Sequence, residues 1–152
     1  MAVRRAVVSG IGLAVGALLL SACGTNPMLP PTVALTSPYH GSSTLDLLDQ
    51  TGRQTAKVRV CSLAGGPLTV DVHIAAPTSN TDLSVRAYST DGEVTHDPVD
   101  STLFESILDG APTDTHFEST RPMRPGECAD VFLSTTEFLG DPGLPYTFTI
   151  TW

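Results

Sequence analysis

The chain has 152 residues, the length of one ordinary domain and hardly enough for two. Its 8 Lys and Arg against 16 Asp and Glu, a net charge of -8, argue against binding nucleic acid or an anionic lipid surface, both of which need clustered positive charge. A hydrophobic content of 41% with only 16% charged residues argues against disorder, and 13 Gly with 12 Pro suit many turns between short strands better than long helices.

The first segment reads as a targeting signal. Arg4 and Arg5 form a positive stretch, and Ala6 to Leu20 is apolar apart from Ser9 and three glycines. That run matches the apolar region of a signal peptide and falls short of the roughly 20 residues that a membrane span needs. It ends in Leu20-Ser21-Ala22-Cys23, which resembles the lipobox of bacterial prolipoproteins. Small residues there admit a peptidase, and the Cys23 thiol is the nucleophile that takes a diacylglyceryl group. The resemblance implies cleavage before Cys23, acylation of the new N-terminus, and an extracytoplasmic domain held at a cell membrane by covalent lipid. Two or more acyl chains anchor stably where one holds only marginally. Arg4-Arg5 followed by Ala6, Val7 and Val8 also weakly resembles a twin-arginine signal, so the export route stays open between that and general secretion.

Removing residues 1–22 takes away two arginines and no acid, which leaves 130 residues with 6 basic and 16 acidic side chains, a balance of -10. So acidic a body is repelled from anionic headgroups over a Debye length of roughly 8–10 Å. Residues 23–38, with prolines at 27, 30, 31 and 38, read as a semi-rigid spacer, within which Thr32 to Thr36 is a candidate edge strand. Leu45, Leu47 and Leu48 fit either a short strand or one helical turn.

Beyond that the period is two. Val58 and Val60 alternate with Lys57, Arg59 and Cys61. Leu68, Val70, Val72 and Ile74 alternate with Thr69, Asp71 and His73. Leu83, Val85 and Ala87 alternate with Ser84, Arg86 and Tyr88. Ala129, Val131 and Leu133 alternate with Cys128, Asp130 and Phe132, and Tyr146, Phe148, Ile150 and Trp152 alternate with threonines. Each run predicts a strand with one face in a core and one in water. Leu103–Leu108 and Thr115–Ser119 are weaker candidates. Gly65-Gly66-Pro67, Asp91-Gly92, Pro125-Gly126 and Pro142-Gly143 supply turns between the runs. Seven or eight short strands in residues 39–152 predict an all-β, antiparallel β-sandwich of immunoglobulin-like type. Met123-Arg124-Pro125-Gly126-Glu127, leading into Val131-Phe132-Leu133, resembles the penultimate hairpin of many bacterial immunoglobulin-like domains. That likeness supports the fold and implies no activity.

With Cys23 acylated, Cys61 and Cys128 remain, and in an exported protein they are expected to pair. Both share the parity of polar residues, and Cys61 is late in its strand where Cys128 is early in its own. Those ends coincide in antiparallel neighbours, so the expected disulfide is cross-strand and on an outer face.

Four histidines stand at 40, 73, 96 and 116, no two at a metal-ligand spacing on one element. His73, His96 and His116 are the candidate metal ligands if strands bring them together, as in a copper-type carrier. Asp91, Glu93, Asp97 and Asp100 offer oxygen ligands for calcium without the spacing of a helix-loop-helix calcium loop, and otherwise form a solubilising acidic turn. No Gly-x-Ser-x-Gly, His-Glu-x-x-His or phosphate-cradling glycine loop is present, so neither an enzyme nor a cofactor is expected. The favoured expectation is a lipid-anchored protein-binding or scaffold module for another envelope protein. The alternative is a small-ligand or metal carrier.

Overall fold

The computed structural model describes residues 31–43, 47–48, 54–90, 101–137 and 143–152. The lipobox with Cys23, the acidic run 91–100 with His96, and most of the Pro142-Gly143 turn lie outside them. Every element is a strand: β1 Thr32–Val33, β2 Tyr39–Ser42, β3 Leu47–Leu48, β4 Gln54–Cys61, β5 Thr69–Ile74, β6 Thr81–Ser89, β7 Thr102–Leu108, β8 Asp114–Glu118, β9 Cys128–Glu137 and β10 Tyr146–Thr151. One sheet runs β1-β4-β9-β6-β7, with β3 also on β4, and the other runs β2-β10-β5-β8. All pairings are antiparallel except the two-residue contact of β1 with β4, which is parallel.

The expected sandwich is therefore present, built on eight main strands. Apart from β3–β4 and β6–β7, consecutive strands lie in opposite sheets. The immunoglobulin-like expectation holds as architecture, two packed antiparallel sheets, and within it β4-β9-β6-β7 facing β2-β10-β5-β8 is the strand order of a jelly roll. The sandwich takes in β1, so its first strand lies within the stretch read as spacer.

The apolar half of each alternating run points inward. Val58, Val60, Leu83, Val85, Ala87, Ala129, Val131 and Leu133 of the first sheet meet Leu68, Val70, Val72, Ile74, Tyr146, Phe148 and Ile150 of the second in one buried core. The weak period of β7 has a local cause. Ala87 pairs with Phe104 and Tyr88 with Thr102, so the ladder is irregular there and two successive residues, Leu103 and Phe104, are both buried.

Tyr146 carries a polar atom into this core, and its hydroxyl donates to the Leu133 carbonyl across the sandwich at 3.0 Å. Tyr146→Phe keeps the ring and removes that hydrogen bond, so unfolding in urea should show a loss of about 1 kcal/mol. An unchanged midpoint would mean that this carbonyl gains nothing from the phenol.

Cys61 and Cys128 are directly opposite each other in the β4–β9 ladder and are joined, with an S–S distance of 2.02 Å and Cα atoms 4.0 Å apart. Their side chains leave the outer face, as the strand parity requires.

Candidate functional site

The two outer faces of the sandwich differ in chemistry. On the first sheet, Asp130 of β9 accepts from Arg59 Nε at 2.7 Å and Nη2 at 2.9 Å, and Lys57 Nζ lies 3.4 Å away. Burial pushes the Asp130 carboxyl up, but the Arg59 hydrogen bonds and the two neighbouring cations outweigh it and hold it below its ordinary value. Lys57 also sits over the Phe132 ring, 5.1 Å from its centroid, and Phe132 meets Tyr88 edge-on. Burial, then the Glu105 carboxylate, raises the Tyr88 phenol. Arg86 faces Glu105 at 3.1 Å. The cations of this face are thus engaged with acids of the same face.

The outer face of the second sheet is a grid set by register. One row reads His40, Thr149, Asp71, His116 across β2, β10, β5 and β8, and the next reads Ser42, Thr147, His73, Asp114. His40 Nδ1 is 2.9 Å from Thr149 Oγ1, His116 Nδ1 is 2.6 Å from Asp71 Oδ1, and His73 Nδ1 is 2.7 Å from Asp114 Oδ1. Both rings of the β5–β8 pair stay open to water, with the His73 side chain 53% exposed and that of His116 58%. Together these strands line an open groove of about 480 Å³.

The crossed pattern has a simple origin. Asp71-Val72-His73 and Asp114-Thr115-His116 are the same Asp-x-His tripeptide on two strands. The i, i+2 spacing puts both polar groups of each on one face. Antiparallel pairing in this register then turns each Asp onto the other strand's His. The rings sit on one diagonal of a square and the carboxylates on the other. Where a carboxylate accepts from the Nδ1–H of a ring, the lone pair of that ring is on Nε2.

Of the sequence-predicted ligands, the structure brings His73 and His116 onto adjacent strands. His96 lies outside the described residues, as do Asp91, Glu93, Asp97 and Asp100. Among the described residues, no group of three or more His, Cys, Asp or Glu converges on a position for an ion. Sequence reasoning passed over Asp71 and Asp114 as partners of the two rings. The repeated Asp-x-His was the available signal.

No family model matches the chain, and no curated protein matches it. Among solved structures, it is similar to the pre-peptidase C-terminal domain of collagenase from Bacillus anthracis, with 8% identity over 80% of this chain and 95% of that one and a TM-score of 0.43. It is also similar to the K3 cleaved adhesin domain of Lys-gingipain from Porphyromonas gingivalis, with 14% identity over 75% and 72% of the two chains and a TM-score of 0.40. The VP2 subviral particle of infectious bursal disease virus gives 15% identity over 74% of this chain and 30% of that one, with a TM-score of 0.38. Likeness of this degree says nothing about what this chain binds.

Proposed function

We propose that this chain is a lipid-tethered, extracytoplasmic β-sandwich that recognises another protein of the cell envelope through the outer face of β2, β10, β5 and β8. The observation that supports it is the form of that face: four strands wide, lined with hydrogen-bonding side chains, and open where a small-molecule site would enclose its ligand. The opposite face, with its cations already paired, has less to offer a partner.

The tether follows from Leu20-Ser21-Ala22-Cys23. Nine residue steps separate Cys23 from Thr32, the first residue of β1, and a chain of that length reaches at most roughly 30 Å, which limits how far β1 can stand from the lipid. Cys23→Ser should move the protein out of the membrane fraction. A variant that stays membrane-bound and unprocessed would show the uncleaved apolar segment acting as the anchor instead.

Recognition is tested with a photo-crosslinking residue at Thr147, exposed in the centre of the groove, and a second at Ile107 on the opposite face. A discrete adduct to one envelope protein from position 147 and none from 107 supports the reading. Matching adducts from both positions, or none from 147, would overturn it.

A further inference from the structure

We infer that His73 and His116 form a binding site for a divalent transition-metal ion of the copper, nickel or zinc class, with Asp71 and Asp114 as the groups that orient the rings. The inference stands apart from partner recognition. Loss of metal binding leaves the crosslinking result untouched, and the reverse.

Four observations converge on these atoms. The two rings lie on adjacent strands at diagonal register positions of one face, a separation of about 7–8 Å between Cα atoms that long side chains span. Each Nδ1 is held by a cross-strand carboxylate, at 2.7 Å for His73 and 2.6 Å for His116, which is the carboxylate–imidazole arrangement that fixes a ring and raises the basicity of its other nitrogen. Both rings are more than half exposed and border the same open groove, so an ion has an entry path and water can complete its shell. The charge is also right. Asp71, Asp114 and, one row further on β8, Glu118 surround the rings. The β10 residues beside them, Thr147 and Thr149, are neutral, and Lys57, Arg59 and Arg86 belong to the other sheet.

The donor set selects the metal. Imidazole nitrogen suits copper, nickel and zinc, whereas calcium and magnesium want several oxygens, and here one oxygen of each carboxylate is already committed to a ring. With two protein ligands and no third group converging among the described residues, the remaining coordination positions are left to water. A bound ion would lock β5 to β8, the last strand of the sheet among the described residues.

The test uses the full chain in detergent, without a polyhistidine tag and stripped by chelator, titrated with Cu(II) and with Zn(II) by calorimetry. One ion per chain is expected, and the Cu(II) spin-resonance spectrum should carry coupling from two imidazole nitrogens. His73→Gln and His116→Gln should each weaken binding by at least about tenfold. Asp71→Asn and Asp114→Asn, which keep both rings, should cost about 10–100-fold, the usual effect of removing a carboxylate behind a ligand. His40→Gln, on β2 with β10 between it and β5, should change nothing. Thermal melts of the metal-free variants check the fold, which exposed substitutions should leave intact. Absence of saturable binding overturns the inference. So does a one-nitrogen spectrum, or binding that survives His73→Gln with His116→Gln and therefore lies elsewhere in the chain.

Discussion

Replacing Cys61 and Cys128 together with Ala lowers the stability of the domain by about 4 kcal/mol, the largest effect expected of any change outside the core. The two residues are 67 apart in sequence, and the bond between them closes a loop that includes β5, β6, β7 and β8. In the unfolded chain such a loop removes much conformational freedom, whereas in the folded chain the ladder already holds the two Cα atoms 4.0 Å apart. The native structure therefore loses little when the bond is absent, and the unfolded ensemble gains a great deal. Two readouts follow in urea. The midpoint falls, and the slope of free energy against denaturant rises, because an uncrosslinked unfolded chain exposes more surface. Coincident curves for the wild type and the double variant would sink the claim. The neighbourhood adds a check: the Trp152 indole N–H donates to the Cys61 carbonyl at 2.8 Å, so Trp fluorescence reports directly on this corner.

As pH drops from above 5 toward 2, Glu127 by itself removes about 3 kcal/mol of stability. Its side chain is only 2% exposed, at the turn that enters β9. Arg121 donates to it twice, Nη2 to Oε1 at 2.7 Å and Nη1 to Oε2 at 3.0 Å. The Ser89 hydroxyl donates to Oε1 at 2.5 Å and the Arg124 backbone N–H to Oε2 at 2.6 Å. The Arg121 hydrogen bonds do most to pull the carboxyl down from 4.5 to about 2, against the opposing pull of burial, with Ser89 and Arg124 adding to them. A carboxyl depressed in the folded state binds its proton more readily when unfolded. Its contribution is therefore fully present above the unfolded value and disappears as pH falls through the folded one. Asp130, also held low, adds in the same direction.

Glu127→Gln isolates the effect. Without the charge, Arg121 loses its buried counterion, so the variant should be less stable at neutral pH by about 3 kcal/mol, and the difference from wild type should shrink as both are taken to pH 2. A constant difference across that range would assign the loss to packing and not to ionisation. The backbone explains why the cost falls on the fold as a whole. Ser62 N–H donates to the Glu127 carbonyl at 2.9 Å and Gly126 N–H to the Ser62 carbonyl at 2.7 Å, so the turn is bonded to the end of β4, while Ser89 ends β6.

Much of this was open to a reader of the residues, and the parts that were not share a cause. Pro125-Gly126 was legible as a turn, and Gly126 does adopt φ +83° there. The acid that follows it looked like any polar turn residue, because nothing near it in sequence says that Ser89, from a strand two positions across the sheet from β4, closes over it. The cysteines were legible in pairing and in face, since parity and position along a strand are local facts. His73 and His116 were legible as outward-facing, but their meeting depended on β5 and β8 becoming neighbours across an intervening excursion into the other sheet.

The residues alone determined the alternation, the side of each strand that a side chain occupies, the turns, and the cysteines left to pair. Each is governed by the two-residue repeat of an extended backbone and by the dihedral limits of Gly and Pro, which act within a few bonds. Only the tertiary structure decided that the strands follow jelly-roll order, that two Asp-x-His tripeptides are mirrored into a square, and that Glu127 is buried against Arg121. Those depend on which strand lies beside which and in what register. That is settled by packing both apolar faces into one core, and a one-residue slip would have turned every member of the square inward.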